Sequence, residues 1–137
     1  MIVTPSPPTP LEHANRLADR ALTRSAVLDK SESFCLLWQR GILRSSLIAH
    51  HRLVALALAS HADYRSGNIP KSRQPYLGGL IEETKLSRGQ VSVAITTLLQ
   101  RGWIRRENER RDRHLAYEVC PLRLAIPEQL LAGLRHR

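Results

Sequence analysis

LIEETKLSRGQVSVAITTLLQRGWI, residues 80 to 104, has the pattern of two short amphipathic helices joined by a tight turn. Leu80 and Ile81 give the first helix its buried edge, and Leu86 fills the corner between the helices. Two short strands around an arginine-rich tip are predicted to follow directly. The sequence therefore predicts a mainly α-helical fold with a small β-element.

The second helix is predicted to begin at Arg88, because Ser87 is a good N-cap. Its hydroxyl can accept a hydrogen bond from the amide of Gly89 or Gln90. The apolar residues recur at the spacing of one face of a helix and are Val91, Ala94, Ile95 and Leu98. The opposite face is small, polar and uncharged, which suits close approach in a groove, and it carries Gly89, Ser92, Val93, Thr96 and Gln100.

The end of this helix and the two strands are predicted from the residues that follow it. Gly102 can take a positive φ and stop the helix, and a strand begins at Trp103. Its predicted partner is the alternating segment LAYEV, residues 115 to 119. The loop between them, RRENERRDRH at residues 105 to 114, has five arginines and one histidine against three acids and is too polar to be buried.

This order of elements resembles a winged helix-turn-helix. The resemblance covers roughly half of the chain and implies double-stranded DNA binding. Helix 88–101 would read the major groove, and the wing, residues 105–114, would lie on the phosphate backbone or in a minor groove. The corner residue before Leu86 is often glycine in this family. Here it is Lys85, which costs about 1 kcal/mol if it is left-handed.

The DNA contacts are assigned from this resemblance and from side-chain chemistry. Arg88 can reach a phosphate or a guanine edge, while Gln90 and Ser92 offer hydrogen bonds to bases. Exposed methyl groups can contact thymine methyls, and the wing arginines can contact phosphates. The full predicted set is Ser87, Arg88, Gly89, Gln90, Ser92, Val93, Thr96, Thr97, Arg105, Arg110, Arg111 and Arg113.

Composition agrees with a polyanionic partner. The chain has 137 residues and a formal charge of +9, and its pI is near 10.7. Eighteen of the 21 basic residues are arginines and three are lysines, and the arginine guanidinium can bind phosphate or guanine bidentately. This length fits one domain with room for extra helices.

Enzymatic, metal and membrane functions have little support in the sequence. The six histidines show no metal-ligand spacing, and no phosphate-binding loop or nucleophile motif is present. No catalytic residue, metal or cofactor is therefore predicted. The most apolar run, LVALALA at residues 53–59, is too short to span a bilayer. The first ten residues lack the features of a secretory signal, so a cytoplasmic location is expected. Cys35 and Cys120 are predicted to be core thiols.

The rest of the chain is divided around the winged unit. Residues 1–8 are expected to be a flexible arm, and residues 9–45 an N-terminal helix, running to about residue 28, with a connecting segment. Residues 34–38 are either a strand or a buried extended segment, ended by Gly41. The winged unit spans 46–120, with a first helix at 46–62 and a possible strand near Ile69. Pro121 should end the sheet, and residues 121–137 should contain a helix from Pro127.

These features predict a sequence-specific transcription regulator of the repressor type that acts as a homodimer. The predicted dimer residues are Leu17, Ala21, Leu22, Leu130, Leu131 and Leu134. Alternatively, the terminal helices pack on their own core and leave a monomer. The alternative functions are a plasmid or phage replication or maintenance protein and a winged-helix protein-docking module. No small-molecule effector can be predicted.

Overall fold

Helices account for most of the fold, with one small sheet beside them. The structure, a computed structural model, describes residues 25–29 and 32–135. Within these residues there are five α-helices and one two-stranded antiparallel sheet, which agrees with the predicted mainly α fold. The elements are α1 (Phe34–Arg44), α2 (Ala49–Ala59), α3 (Tyr76–Thr84), α4 (Arg88–Gln100), β1 (Ile104–Arg106), β2 (Leu122–Leu124) and α5 (Leu131–Arg135), with 3₁₀ turns at Lys71–Arg73 and Glu128–Leu130.

Helix α1 contains the segment that the sequence pattern assigns to either a strand or an extended stretch. Residues 34–38 are neither, because Ser33 caps a helix there by accepting a hydrogen bond from the amide of Leu36 at 3.4 Å. Contrary to the prediction, Gly41 does not end the segment but lies inside the helix. A Cβ at this position would stand 2.5 Å from Cη2 of Trp103. The glycine therefore permits close packing of the indole on the helix.

Helix α2 is shorter than the predicted 46–62 but forms the centre of the core. It packs against α1, α3 and α4. Val54, Ala55 and Leu58 are fully buried, as their spacing predicts. Trp103 is also buried in this core. Among the described residues, no helix is long and apolar enough to cross a membrane.

The strand partner of β1 is not the segment predicted from the sequence. Ile104 pairs with Leu124 and Arg106 with Leu122, whereas residues 115–119 form a turn-containing loop. Pro121 precedes β2 instead of ending the sheet. It contributes only its carbonyl, which accepts from the amide of Glu107 at 3.0 Å, so its missing N–H costs no ladder hydrogen bond.

The outer edge of β2 is covered by the segment that precedes α3. The Gln74 side chain donates to the carbonyl of Leu122 at 2.7 Å and accepts from its amide at 3.1 Å. The amide of Leu124 donates to the carbonyl of Gly67 at 3.1 Å. Ile69 is buried between these contacts but is not in a strand, so the strand suggested there is absent.

The C-terminal helix begins after Pro127 as predicted, but it packs on its own chain. Leu131 and Leu134 are 7% and 5% exposed and belong to the core. They are therefore core residues, and not the dimer residues that the sequence predicts. Leu130 remains exposed. The predicted dimer residues Leu17, Ala21 and Leu22, and most of the predicted helix 9–28, lie outside the described residues.

Residues 25–28, the last of that predicted helix, are not helical. Ser25 forms a bridge with Pro127, and the amide of Ala26 donates to the carbonyl of Ile126 at 2.7 Å. This segment therefore runs in extended form beside the chain that follows β2. Tertiary pairing overrides its helical pattern.

Candidate nucleic-acid interface

The turn between α3 and α4 is tight, as predicted. Lys85 is left-handed, with φ 61° and ψ 18°, and its amide donates to the carbonyl of Ile81 at 3.0 Å. Thr84 closes the corner, because its hydroxyl accepts from the amide of Leu86 at 3.3 Å. The expected strain of about 1 kcal/mol therefore applies to Lys85.

A capping box fixes the start of α4. The Ser87 hydroxyl accepts from the amide of Gln90 at 3.1 Å, and the Gln90 side-chain oxygen accepts from the amide of Ser87 at 3.0 Å. The predicted helix start is confirmed. Gln90 is committed to the cap through its oxygen, and its side-chain nitrogen lies 3.4 Å from Nδ1 of His50. The sequence gives no sign of His50 near this helix, because the two residues are 40 positions apart and local spacing does not connect them.

One side of α4 is open and carries no charge. Val93 is 57% exposed, and a Cβ added to Gly89 would meet only the Ser87 hydroxyl, at 4.0 Å. Thr97 is half-buried and Gln100 exposed on the same side. The open side therefore consists of Gly89, Val93, Thr97 and Gln100, which we call the open face of α4. The helix ends at Gln100, and the φ of 81° at Gly102, just after the C-cap Arg101, confirms the predicted stop.

The adjacent side of α4 is in contact with the loop between the strands. The hydroxyl groups of Thr96 and Tyr117 are 2.7 Å apart, and the Arg88 guanidinium donates to the Glu118 carboxylate. Two predicted DNA-contacting residues, Arg88 and Thr96, are thus held by the loop between β1 and β2. The predicted strand placed Tyr117 and Glu118 on opposite faces. In the turn both reach α4.

Asp112 is buried inside the loop between β1 and β2 and hydrogen-bonds two of its residues. It is 1% exposed and accepts from the amide of Asn108 at 3.1 Å and from Nε of Arg111 at 2.9 Å. The hydrogen bond from Arg111 holds the pKa of Asp112 below its usual value. Arg111 therefore has a structural role in the loop as well as an exposed guanidinium. The loop between β1 and β2 spans residues 107–121, longer than the wing predicted at residues 105–114.

The remaining wing arginines differ in availability. Arg110 and Arg113 are exposed and form no hydrogen bond or ion pair with any residue in the part of the chain that the structure describes. Arg105 instead donates through Nε to the Ser25 hydroxyl at 2.8 Å and lies 3.5 Å from Glu109. Its guanidinium is thus directed toward the segment before α1, so Arg105 is not part of the candidate interface.

The two thiols and the acids offer no competing site. Cys35 and Cys120 are buried, as predicted, and burial raises the pKa of both thiols. Within 25–29 and 32–135, no three histidine, cysteine or acidic side chains form a group that could hold a metal ion.

Comparisons of the chain with protein-family models, with curated proteins and with solved structures found no match.

Proposed function

We propose that this protein binds double-stranded DNA sequence-specifically and regulates transcription, as a winged helix-turn-helix of the repressor type. The observation that carries the proposal is the open face of α4, which is uncharged and small, with Lys85 and Arg101 at the two ends of the helix. A helix with this distribution can approach base edges closely while its ends contact phosphates.

The wing supports the same function. Arg110 and Arg113 are exposed cations without partners among the described residues, at the tip of a loop that also contacts α4. Each arginine that neutralises a phosphate releases counterions, so the net charge of +9 favours binding to a duplex. In the proposed complex the helix contacts bases and the wing contacts the backbone.

Selection of bound sites from a random duplex library tests the proposal. We expect one enriched motif for the wild type and an altered preference at one or two base pairs for Val93→Ser, because this side chain is central in the open face. Leu36→Ser is the matched control, since Leu36 is also exposed (48%) but lies on α1. A library that shows no enrichment, with no salt-sensitive binding, would instead favour a protein-docking module.

We also propose that the protein acts as a homodimer, since one helix reads few base pairs and a two-fold dimer doubles the contacts. Leu131 and Leu134 are in the core, so the candidate interface reduces to Leu130 with Leu17, Ala21 and Leu22. Light scattering of the full chain tests this. A palindromic selected motif would agree with a dimer, whereas tandem direct repeats would favour the replication or maintenance role.

A further inference from the structure

A cavity of about 580 Å³ lies where the C-terminal ends of α1 and α4 meet α5. Its volume is within the range of pockets that hold small molecules, about 300–1,000 Å³. The apolar part of its lining comes from Trp103, Leu130 and Leu134. Gln100 is the one residue of the open face of α4 that lines the cavity, and no residue of the wing lines it.

Two glycines, Gly133 and Gly41, shape the cavity because neither has a side chain. Gly133 lines it from α5, and a Cβ there would meet no atom within 4 Å. This wall is therefore bare backbone beside open space. On the other side, Gly41 lets the Trp103 indole lie directly against α1, and Trp103, although only 3% exposed, contributes to the apolar wall there.

The charges around the cavity have one sign. Arg44 and Arg101 line it, and no carboxylate does so among the described residues. Arg44 donates to the carbonyl of Gly133 at 3.2 Å, and Arg101 donates to the Ser46 hydroxyl at 3.3 Å. Arg101 makes no ion pair within the described part of the chain, and its guanidinium retains donors that can bind an anion.

We propose that this cavity binds a small apolar carboxylate, with its hydrocarbon body against Trp103 and Leu134 and its carboxylate on Arg101. An apolar lining favours ligands that bury carbon, and the planar guanidinium matches a carboxylate with two parallel hydrogen bonds. A cation would be repelled by Arg101. A bare inorganic anion would leave the apolar lining unused.

The site has a consequence for DNA binding that rests on the proposed function. Arg101 caps the C-terminal end of α4, and Gln100, in the cavity lining, is also the last residue of its open face. A carboxylate on Arg101 would place a negative charge beside the DNA-facing helix. Binding of the carboxylate is tested without DNA, so the two proposals can fail separately.

The test uses the full chain and 4-phenylbutyrate, with its neutral analogue 4-phenylbutyramide as comparison. Nitrogen-resolved NMR should show shifts in the amides of Gly41 and Gly133 and in the Trp103 indole, with a dissociation constant of about 1 mM for a ligand of this size. The amide should bind about tenfold more weakly. Shifts confined to other residues, or none at 10-fold excess over ~1 mM, would overturn the proposal.

Two variants with matched controls complete the test. Gly133→Leu fills the cavity and should weaken 4-phenylbutyrate at least tenfold, whereas Gly78→Leu, where a Cβ also meets no atom within 4 Å, should leave it unchanged. Arg101→Gln should remove the preference for the carboxylate over the amide, and Arg110→Gln should retain it. Undiminished binding to folded Gly133→Leu would contradict the proposed location, and an unchanged preference in Arg101→Gln would contradict the proposed anion contact.

Discussion

The Glu118 carboxylate accepts a hydrogen bond from the Arg88 guanidinium, and so joins the loop after β1 to the first turn of α4. Both side chains are about half exposed, at 62% for Arg88 and 47% for Glu118. An exposed pair of this kind is worth about 0–1 kcal/mol. In the proposed complex, DNA would therefore displace Glu118 from Arg88 at small cost.

Replacing Glu118 with Gln should strengthen DNA binding, because a phosphate then no longer has to displace a carboxylate from the Arg88 guanidinium. We expect a roughly two- to fivefold lower dissociation constant, consistent with the small energy of an exposed ion pair. Fluorescence anisotropy with a labelled duplex measures it. Glu109→Gln is the control, since it changes the net charge of the same loop equally. Equal gains in both variants would show that only bulk charge matters.

The double variant Arg110→Ala, Arg113→Ala should bind every duplex more weakly. For each phosphate that is no longer neutralised, the slope of log K against log salt should shrink by about 0.9, while the selected motif stays the same. Affinity measured from low to moderate salt gives the slope. Arg65→Ala is the control, since Arg65 is also exposed but lies near the start of α1, where the carbonyl of Tyr64 accepts from the amide of Cys35. Unchanged slopes in the double variant would remove the wing from the interface.

Gly41→Ala should destabilise the protein although alanine is the better helix former. The added Cβ would stand 2.5 Å from the Trp103 ring, so the core must shift, at a cost of about 1–3 kcal/mol. Gly78→Ala, in α3, meets no atom and should stabilise by about 0.5–1 kcal/mol. Urea unfolding measures both. A neutral or stabilising Gly41→Ala would refute the tight contact between α1 and Trp103.

Glu32 should make the stability of the fold depend on pH in the acidic range. Hydrogen bonds from Arg135 first, and from the amide of Asp29, lower the pKa of Glu32 from 4.5 to about 2. A lowered pKa in the folded state adds stability above pH 4.5, and this stability is lost as the pH falls from 4.5 toward 2. The Tm difference between wild type and Glu32→Gln should therefore shrink over this range. Glu82→Gln, an exposed acid of α3, is the control. A difference independent of pH would contradict this interpretation.

The helix pair can be predicted because its signals are local. Ser87 caps the helix three residues from its partner Gln90, and Gly102 stops it, so neither requires knowledge of the rest of the chain. The prediction of the strand partner of β1 is wrong, because residues 115–119 and 122–124 alternate equally well. Only long-range packing, which buries Leu122 and Leu124, distinguishes them.

The geometry of the candidate interface can be predicted only in part, for the same reason. The open side chain of Val93 follows from helical periodicity. The hydrogen bonds of Thr96 with Tyr117 and of Arg105 with Ser25 join residues 21 and 80 positions apart. No spacing rule reaches that far. The cavity beside Trp103 also depends on three helix ends meeting, and it leaves no pattern in the sequence.

The cover that Gln74 places on β2 bears on how the protein avoids uncontrolled strand addition between its own copies. A two-stranded sheet has an unpaired edge to which a strand of another molecule can add, and such addition is a common start of aggregation. Here the amide and carbonyl of Leu122 are occupied by a side chain, and the amide of Leu124 by the carbonyl of Gly67. A single glutamine thus takes the place of part of a third strand, and its loss would expose a templating edge while leaving the helices intact.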